Sequence, residues 1–261
     1  MPGRLAVVTG ATAGIGAAFA RQLIAGGYEL ILVARDPERL GALGAELAAA
    51  GGRCTWLSAD LTTDAGCAAV VATLTDDGRP VDLLVNNAGF GLRVPLTRTA
   101  VADEERLLAL NVQAVLRLTH AALGPMLARG SGQIINVSSV AGFAPLAPGS
   151  TYPASKAWVT SFSESVDQLA RRGGVRVMAL CPGYTRTEFH DRAGIPTGEI
   201  PGWLWLNADT VVTTALRDAR RGRSVSIPSL RYRFVVILLR HVPRSWLARL
   251  AGGWRARSGV K

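Results

Sequence analysis

The sequence predicts an α/β fold: a doubly wound, mainly parallel sheet of seven strands in a single domain, with a basic C-terminal extension. Three observations predict it. Short apolar runs of strand length alternate with longer Ala/Leu-rich stretches of helical length, the pattern of strands joined by crossover helices. A glycine-rich turn, Thr9–Gly16, separates the first apolar run from the first helical stretch. Small, amide and hydroxyl residues recur where later strands should end, at Asn86–Gly89, Ser138–Ser139 and Pro182–Gly183. Doubly wound sheets bind ligands outside the carboxyl ends of their strands, so these positions predict one crevice.

Leu5–Thr9 is short, apolar and ended by glycine, which suits a buried strand. In T-G-A-T-A-G-I-G the glycines let the backbone turn tightly and approach a ligand. The helix that follows, to about Ala25, offers free N–H groups and a positive dipole end to a phosphate. This makes Gly10, Thr12, Gly14, Ile15 and Gly16 candidates for a dinucleotide phosphate site; the alternative is a tight strand-to-helix turn without a ligand. Glu29–Ala34 is the second strand, with Arg35 and Asp36 at its end. An arginine there accommodates the 2′-phosphate of NADP, whereas an acid binds the 2′-hydroxyl of NAD. Arg35 therefore favours NADP(H), and Asp36 keeps NAD(H) as the alternative.

Asp36–Ala50 is a helix closed by Gly51-Gly52, and Cys54–Ser58 is the third strand. Asp60, with Leu61 beside it, follows that strand, where an adenine amino group could be hydrogen-bonded; the alternative is an N-cap for the helix Thr63–Thr75. Val81–Val85 is the fourth strand and runs into Asn86-Asn87-Ala88-Gly89, which suits a cofactor crevice or an Asx-type turn. One long helix is expected over about Ala102–Arg129. Asn111 lies in its interior, where asparagine is a poor helix former, either holding a local bend or tolerated on a flank. Gln133–Val137 and Arg176–Leu180 are the fifth and sixth strands. A loop from Pro182 to Asn207 carries Tyr184, Phe189, Trp203 and Trp205, as a lid over an apolar pocket would. The helix Asp209–Arg221 and the strand Ser224–Ile227 close the domain, 1–228.

Tyr152 and Lys156 are the chemical centre. Four residues apart on a helix, they share one face. Pro153 suits a first helical turn, and Ser150 or Thr151 can cap it. A free phenol has a pKa of ~10 and is a poor base at neutral pH. An ammonium about 4 Å away is worth ~4 kcal/mol at an effective dielectric of ~20. That is enough to lower the phenol by about three units, toward the range where general acid/base catalysis works best. An isolated Y-x-x-x-K is otherwise an ordinary amphipathic helix face.

With these residues in place, the chain resembles the short-chain dehydrogenase/reductase family, a Rossmann-type fold. It carries T-G-x-x-x-G-x-G (Thr9–Gly16), N-N-A-G (Asn86–Gly89), Asn111, Ser139, Y-x-A-S-K (Tyr152–Lys156), and P-G followed by T-x-T (Pro182, Gly183, Thr185, Thr187), over roughly residues 5–228. The resemblance implies that Tyr152 exchanges a proton with the substrate oxygen. It implies that Lys156 lowers the pKa of Tyr152 and binds the nicotinamide ribose, that Ser139 hydrogen-bonds the substrate, and that Asn111 holds a water connecting Lys156 to solvent. Gly10, Gly14, Gly16, Asn87, Ala88 and Gly89 would line the cofactor, with Pro182, Gly183, Thr185 and Thr187 near its carboxamide. The implied activity interconverts a carbonyl and a secondary alcohol with NADP(H); the aromatic loop and the basic extension point to an apolar, lipid-like substrate. An NAD-linked alcohol or steroid-type dehydrogenase is one alternative; a catalytically silent dinucleotide-binding regulator is another. Dimers or tetramers through the two long helices are implied as well.

Composition narrows the class further. The three cysteines and three histidines show no metal-ligand spacing, so neither a metal site nor a disulfide framework is expected. No signal peptide and no run approaching a membrane span is apparent, and a cytoplasmic enzyme is expected. The net charge is +10, but residues 229–261 hold seven Arg, one Lys and no acid, while the other 228 hold 21 basic and 19 acidic residues. The body is nearly neutral, so no nucleic-acid partner is expected. The basic extension is interleaved with Phe234–Leu239, Trp246, Leu247, Leu250 and Trp254. That suits a peripheral contact with the inner membrane face, or an arm that covers a neighbouring subunit or closes the pocket.

Overall fold

In the computed structural model, which describes residues 3–92, 95–143, 151–189 and 200–241, seven strands form one sheet. They are β1 (Arg4–Thr9), β2 (Tyr28–Ala34), β3 (Cys54–Ser58), β4 (Leu83–Asn86), β5 (Gly132–Val137), β6 (Val175–Leu180) and β7 (Val225–Ser226). Their order is β3-β2-β1-β4-β5-β6-β7. Every pair is parallel, so the sheet is wholly rather than mainly parallel. The chain starts in mid-sheet, winds outward through β2 and β3, and returns to the other side of β1 at β4. The direction of winding reverses between β1 and β4, and a crevice opens at their carboxyl ends.

The helices are α1 (Gly14–Ala25), α2 (Pro37–Ala49), α3 (Asp64–Leu74), α4 (Val101–Leu108), α5 (Val115–Ala128), α6 (Thr151–Ala170), α7 (Ala208–Arg220) and α8 (Leu230–His241). Alternate strand residues point to opposite faces, and here both faces are buried. Ala6, Val8, Leu30, Leu32, Val85 and Ile135 pack with α1, α2 and α7. Val7, Ile31, Val33, Leu84, Ile134 and Val177 pack with α3, α5 and the end of α6. Continuous apolar strands are the signature of a parallel sheet covered on both sides.

Several element boundaries differ from the sequence-based expectation, each for a local reason. The fourth strand begins at Leu83 rather than Val81, because the Asp82 carboxylate accepts the Leu5 N–H at 2.8 Å just before the ladder. Helix α3 is capped by Thr63, whose hydroxyl accepts from the Gly66 N–H at 3.0 Å, and not by Asp60. Helix α6 begins at Thr151, whose hydroxyl donates to the Glu104 carboxylate instead of capping the turn. The other cap candidate, Ser150, lies outside the described residues.

The helix expected over 102–129 is interrupted. A π-helical turn, Ala109–Ala114, separates α4 from α5, and Asn111 sits in it fully buried. Its side chain is held by the backbone of Phe90: Oδ1 accepts from the N–H at 3.1 Å and Nδ2 donates to the carbonyl at 2.9 Å. These two bonds satisfy the buried amide and fix the bend. The whole segment Val101–Ala128 is long and apolar enough to cross a membrane by length and composition, contrary to the sequence-based expectation. It is nonetheless a core helix: Leu107, Ala114, Leu118, Ala122 and Met126 are buried within the domain.

Candidate active site

The glycine turn is built to bring backbone close to a ligand. Gly10 has φ +62°, and a Cβ there would stand 2.9 Å from both the Ala88 Cα and the Asn87 amide, so only glycine fits without strain. At Gly16 a Cβ would collide with the Gly10 carbonyl, which lets the first turn of α1 lie directly on the loop. Helix α1 starts at Gly14 with Ala13 as N-cap, with no side-chain cap bond and no acidic residue in the first turn. Its N-terminal N–H groups and dipole are therefore left to an anion. Thr12 and Ile15 are half-buried beside it.

The second asparagine of Asn86-Asn87 supports this turn from behind. Asn87 Nδ2 donates to the Thr9 and Gly10 carbonyls at 2.9 and 3.1 Å. The Thr9 hydroxyl accepts from the N–H groups of Asn87 and Ala88 at 2.9 and 3.0 Å. Asn87 thus shapes the turn with its side-chain amide. Asn86 is buried and donates to Thr119 and Asn136, locking β4 to β5.

At the end of β2, Arg35 and Asp36 are both exposed, but their roles separate. Asp36 Oδ1 accepts from the N–H groups of Glu38 and Arg39 at 3.0 and 3.1 Å, capping α2. Arg39 then reaches across the crevice, bonding both carboxylate oxygens of Glu188 at 3.0 and 2.6 Å and the Thr12 carbonyl at 3.2 Å. This clasp joins α2, the glycine turn and the loop after β6. Asp60 Oδ1 accepts from the N–H and hydroxyl of Thr62 at 3.0 and 2.8 Å. Burial works against its charge, but the Thr62 bonds and the nearby Arg35 and Arg106 charges hold the carboxyl below its ordinary value. Leu61 turns its side chain into the core.

The carboxyl ends of β5 and β6 carry the reactive groups. Ser138 points inward, its hydroxyl on the Lys156 carbonyl at 2.7 Å, while the half-buried Ser139 hydrogen-bonds the Tyr152 phenol. Lys156 is 5 % exposed; its Nζ lies 5.8 Å from the Tyr152 ring centre and donates to the Val137 carbonyl at 2.8 Å. Gly89 borders the amine, since a Cβ there would stand 3.5 Å from Nζ and 3.0 Å from Asn111 Oδ1. Ser139, Tyr152, Lys156 and Asn111 therefore converge as the spacing predicts.

Their electrostatics differ from the expectation. Burial pushes the Tyr152 phenol up to about 12, against the Ser139 hydrogen bond that favours ionisation. Burial also pushes the Lys156 ammonium down to about 8. The predicted lowering of the phenol by the amine is absent here. The cation is turned to Val137, and losing water costs each charged form more than the other group returns. In this geometry burial favours the neutral form of Tyr152.

Beyond β6, Pro182 is buried and its carbonyl accepts from the Val140 N–H at 3.0 Å. Thr185 is 3 % exposed and its hydroxyl donates to the Gly183 carbonyl at 3.0 Å. The Thr187 side chain rests on Gly14, closing the loop over the start of α1. Of the predicted lid, Phe189 lies 5.8 Å from the Tyr152 ring, and Tyr184 lies 5.9 Å from Trp205. Residues 190–199 of this loop lie outside the described residues.

Two contributors escaped the sequence reading. The ring of Tyr232, on α8, lies directly on Gly183. Its hydroxyl accepts from the Tyr184 N–H at 3.1 Å and donates to the Leu204 carbonyl at 2.9 Å. It pins both ends of the aromatic loop. Glu104, buried on α4, accepts from the Thr99 hydroxyl at 3.0 Å and from Thr151, next to Tyr152. A lone tyrosine in a basic segment and a glutamate in an acidic run carry no local signal that could have singled them out.

A family model described as short chain dehydrogenase matches residues 4–195. The NADP-dependent 3-hydroxy acid dehydrogenase YdfG of Salmonella typhimurium is 37% identical over 187 residues, which is 71% of this chain and 74% of that one. Among solved structures, a short-chain dehydrogenase from Sphingobium yanoikuyae in complex with NADPH is 36% identical, with a TM-score of 0.83 and coverage of 99% of this chain and 96% of that one. The bulky-bulky ketone specific alcohol dehydrogenase of Comamonas testosteroni is 29% identical, with a TM-score of 0.79 and coverage of 99% and 95%.

Proposed function

The chain belongs to the short-chain dehydrogenase family, oxidoreductases that act on hydroxyl and carbonyl groups with a nicotinamide dinucleotide, and on that premise we propose that it is an NADP(H)-dependent reductase of bulky, apolar ketones. The observation that carries the chemistry is the convergence of Ser139, Tyr152 and Lys156 at the carboxyl end of β5, with the Lys156 Nζ 5.8 Å from the Tyr152 ring centre.

The residues present fit the cofactor. The tight Gly10–Gly16 turn, whose glycines leave no room for a Cβ, and the start of α1, which has no side-chain cap bond, suit a pyrophosphate. Asp36 is engaged in capping, which leaves Arg35 as the group for a 2′-phosphate and supports NADP(H) over NAD(H). The NADPH in the related Sphingobium structure supports the same choice. Asp60 and the Pro182–Gly183 turn are kept for the adenine and carboxamide ends. The bound nicotinamide supplies the hydride; the chain does the rest.

As negative charge grows on the substrate oxygen, Ser139 and Tyr152 are the two donors for it, and Tyr152 delivers the proton. The Lys156 cation then lies near the resulting phenolate, where an opposite charge favours it. Asn111 is kept for a water relay to Lys156, since π turns free backbone groups and recur at functional sites. Phe189 beside Tyr152, with Tyr184 and Trp205 further along the loop, supports an apolar substrate. The ketone specificity named for the Comamonas relative points the same way. Exposed Leu116 on α5 and Leu169 on α6 support a homo-oligomer through these two helices.

The test is steady-state kinetics on a panel of ketones of increasing bulk, with NADPH and NADH in parallel. The reading expects turnover with bulky aryl or cyclic ketones and a kcat/KM at least about tenfold higher with NADPH, the worth of ~1.4 kcal/mol. Preference for NADH, or for small charged hydroxy acids, would overturn it.

A further inference from the structure

We propose that the outward face of α8 is a docking surface for an anionic lipid bilayer. The helix is apolar on two opposite sides. Tyr232 and Val236, 5 % and 2 % exposed, face the body, where Tyr232 is bonded to Tyr184 and Leu204. Arg233 secures the same side through the Ile227 carbonyl at 2.8 Å. At about 100° per residue, Leu230, Phe234, Ile237 and Leu238 form one stripe directly opposite. All four are exposed, between 55 % and 78 %.

Among the described residues, α8 is already seated through its inner face, by Tyr232 and Val236. Contiguous large apolar side chains left to solvent mark an interaction surface. Trp203, 60 % exposed, adds a large ring where Arg231 donates to the Trp203 carbonyl, at the amino end of the helix.

Charge selects the occupant. Residues 229–261 carry seven Arg, one Lys and no acidic residue. Apposing two copies of this face would bring two strongly cationic segments together, which repels. An anionic bilayer is complementary to both properties: apolar side chains enter the interface while arginines meet the headgroups. Trp246, Leu247, Leu250 and Trp254 continue the same composition along the sequence. The inference does not depend on the cofactor or substrate assignment.

The experiment is co-sedimentation of the full chain with phosphatidylcholine vesicles and with vesicles that also contain phosphatidylglycerol. The protein should pellet with the anionic vesicles, stay in solution with neutral ones, and be released by high salt. A Phe234→Ser/Ile237→Ser/Leu238→Ser chain should lose about tenfold or more in vesicle affinity, with its thermal melt and its cofactor binding retained as the check that it folds. Failure to pellet with anionic vesicles, equal pelleting with both vesicle types, or equal binding by the triple variant would overturn the proposal. A triple variant that moves to a smaller species on gel filtration, with no vesicle binding by the parent, would assign the face to a second copy instead. Because the lipid-composition comparison uses the unaltered chain, a variant that fails to fold leaves the proposal open to refutation.

Discussion

The two ends of the crevice are built by different means. At the β1–β2 end the working surface is backbone: the Gly10–Gly16 turn, held from behind by Thr9 and Asn87, and the first turn of α1. At the β5–β6 end it is side chain. Ser139, Tyr152 and Lys156 are brought together by β5 and α6, then roofed by rings from a loop that α8 holds in place. A backbone cradle recognises what every dinucleotide shares, phosphate and ribose. A side-chain cup recognises what differs between substrates. On the proposed function, substrate preference would rest on residues far apart in sequence, and could change without disturbing the cofactor end.

Substitutions at each end should separate them. Tyr152→Phe removes the proton donor and should lower kcat by ~10²–10⁴-fold, the usual worth of general acid catalysis, with NADPH affinity measured by fluorescence titration nearly unchanged. Loss of NADPH binding in step with kcat would erase the division between the two ends. Arg35→Ala should weaken NADPH by about 10- to 100-fold, the loss of a charge-assisted bond worth ~1.5–3 kcal/mol, and leave NADH alone. Asp36→Ala should instead cost ~0.5–2 kcal/mol of stability as a lost helix cap, read in the melting curve. Equal weakening of both cofactors by Arg35→Ala would move the 2′-phosphate elsewhere.

The pH profile sharpens the side-chain end. Tyr152, raised to about 12, stays protonated across the working range, whereas Lys156, lowered to about 8, is charged below that value and neutral above it. The acid is therefore always available, and the cation is what alkaline pH removes. For ketone reduction, kcat/KM should be level below pH 8 and fall above it, by about tenfold per unit for a single group. Lys156→Met should show a low rate without that limb. The smallest effect on catalysis is expected at Tyr232→Phe. It keeps the ring on Gly183 and loses the bonds to Tyr184 and Leu204. The melting free energy should fall by ~1–3 kcal/mol and the ketone KM should rise several-fold, with the NADPH constant unmoved. A shift in the NADPH constant alone would place α8 at the wrong end.

Much of the cofactor end was readable because its requirements are local. Gly10, Gly14 and Gly16 lie within one turn, and Arg35 ends the adjacent strand. Tyr152 and Lys156 were readable for the same reason, since helical spacing alone puts them on one face. The electrostatic inference from that spacing failed because a pKa depends on burial. Burial is the work of β5, β6 and the neighbouring helices, which leave Lys156 bonded to Val137. The long helix over Ala102–Arg129 and a bend at Asn111 were legible, but not that the bend is a π turn, because the Asn111 side chain is held by the Phe90 backbone 21 residues away. Arg39 and Glu188 are 149 residues apart, and Tyr232 and Tyr184 are 48 apart; no pattern along the chain joins either pair.

The sequence by itself determined the parallel sheet, the placing of the glycine turn and the shared helix face of Tyr152 and Lys156, because periodicity and short spacings are properties of the local backbone. Only the tertiary structure decided that burial raises the phenol, that Asp36 is a cap, and that α8 is anchored on one side and apolar on the other. Those outcomes depend on which surfaces lose water and which partners arrive across long loops, and both are settled when the chain packs.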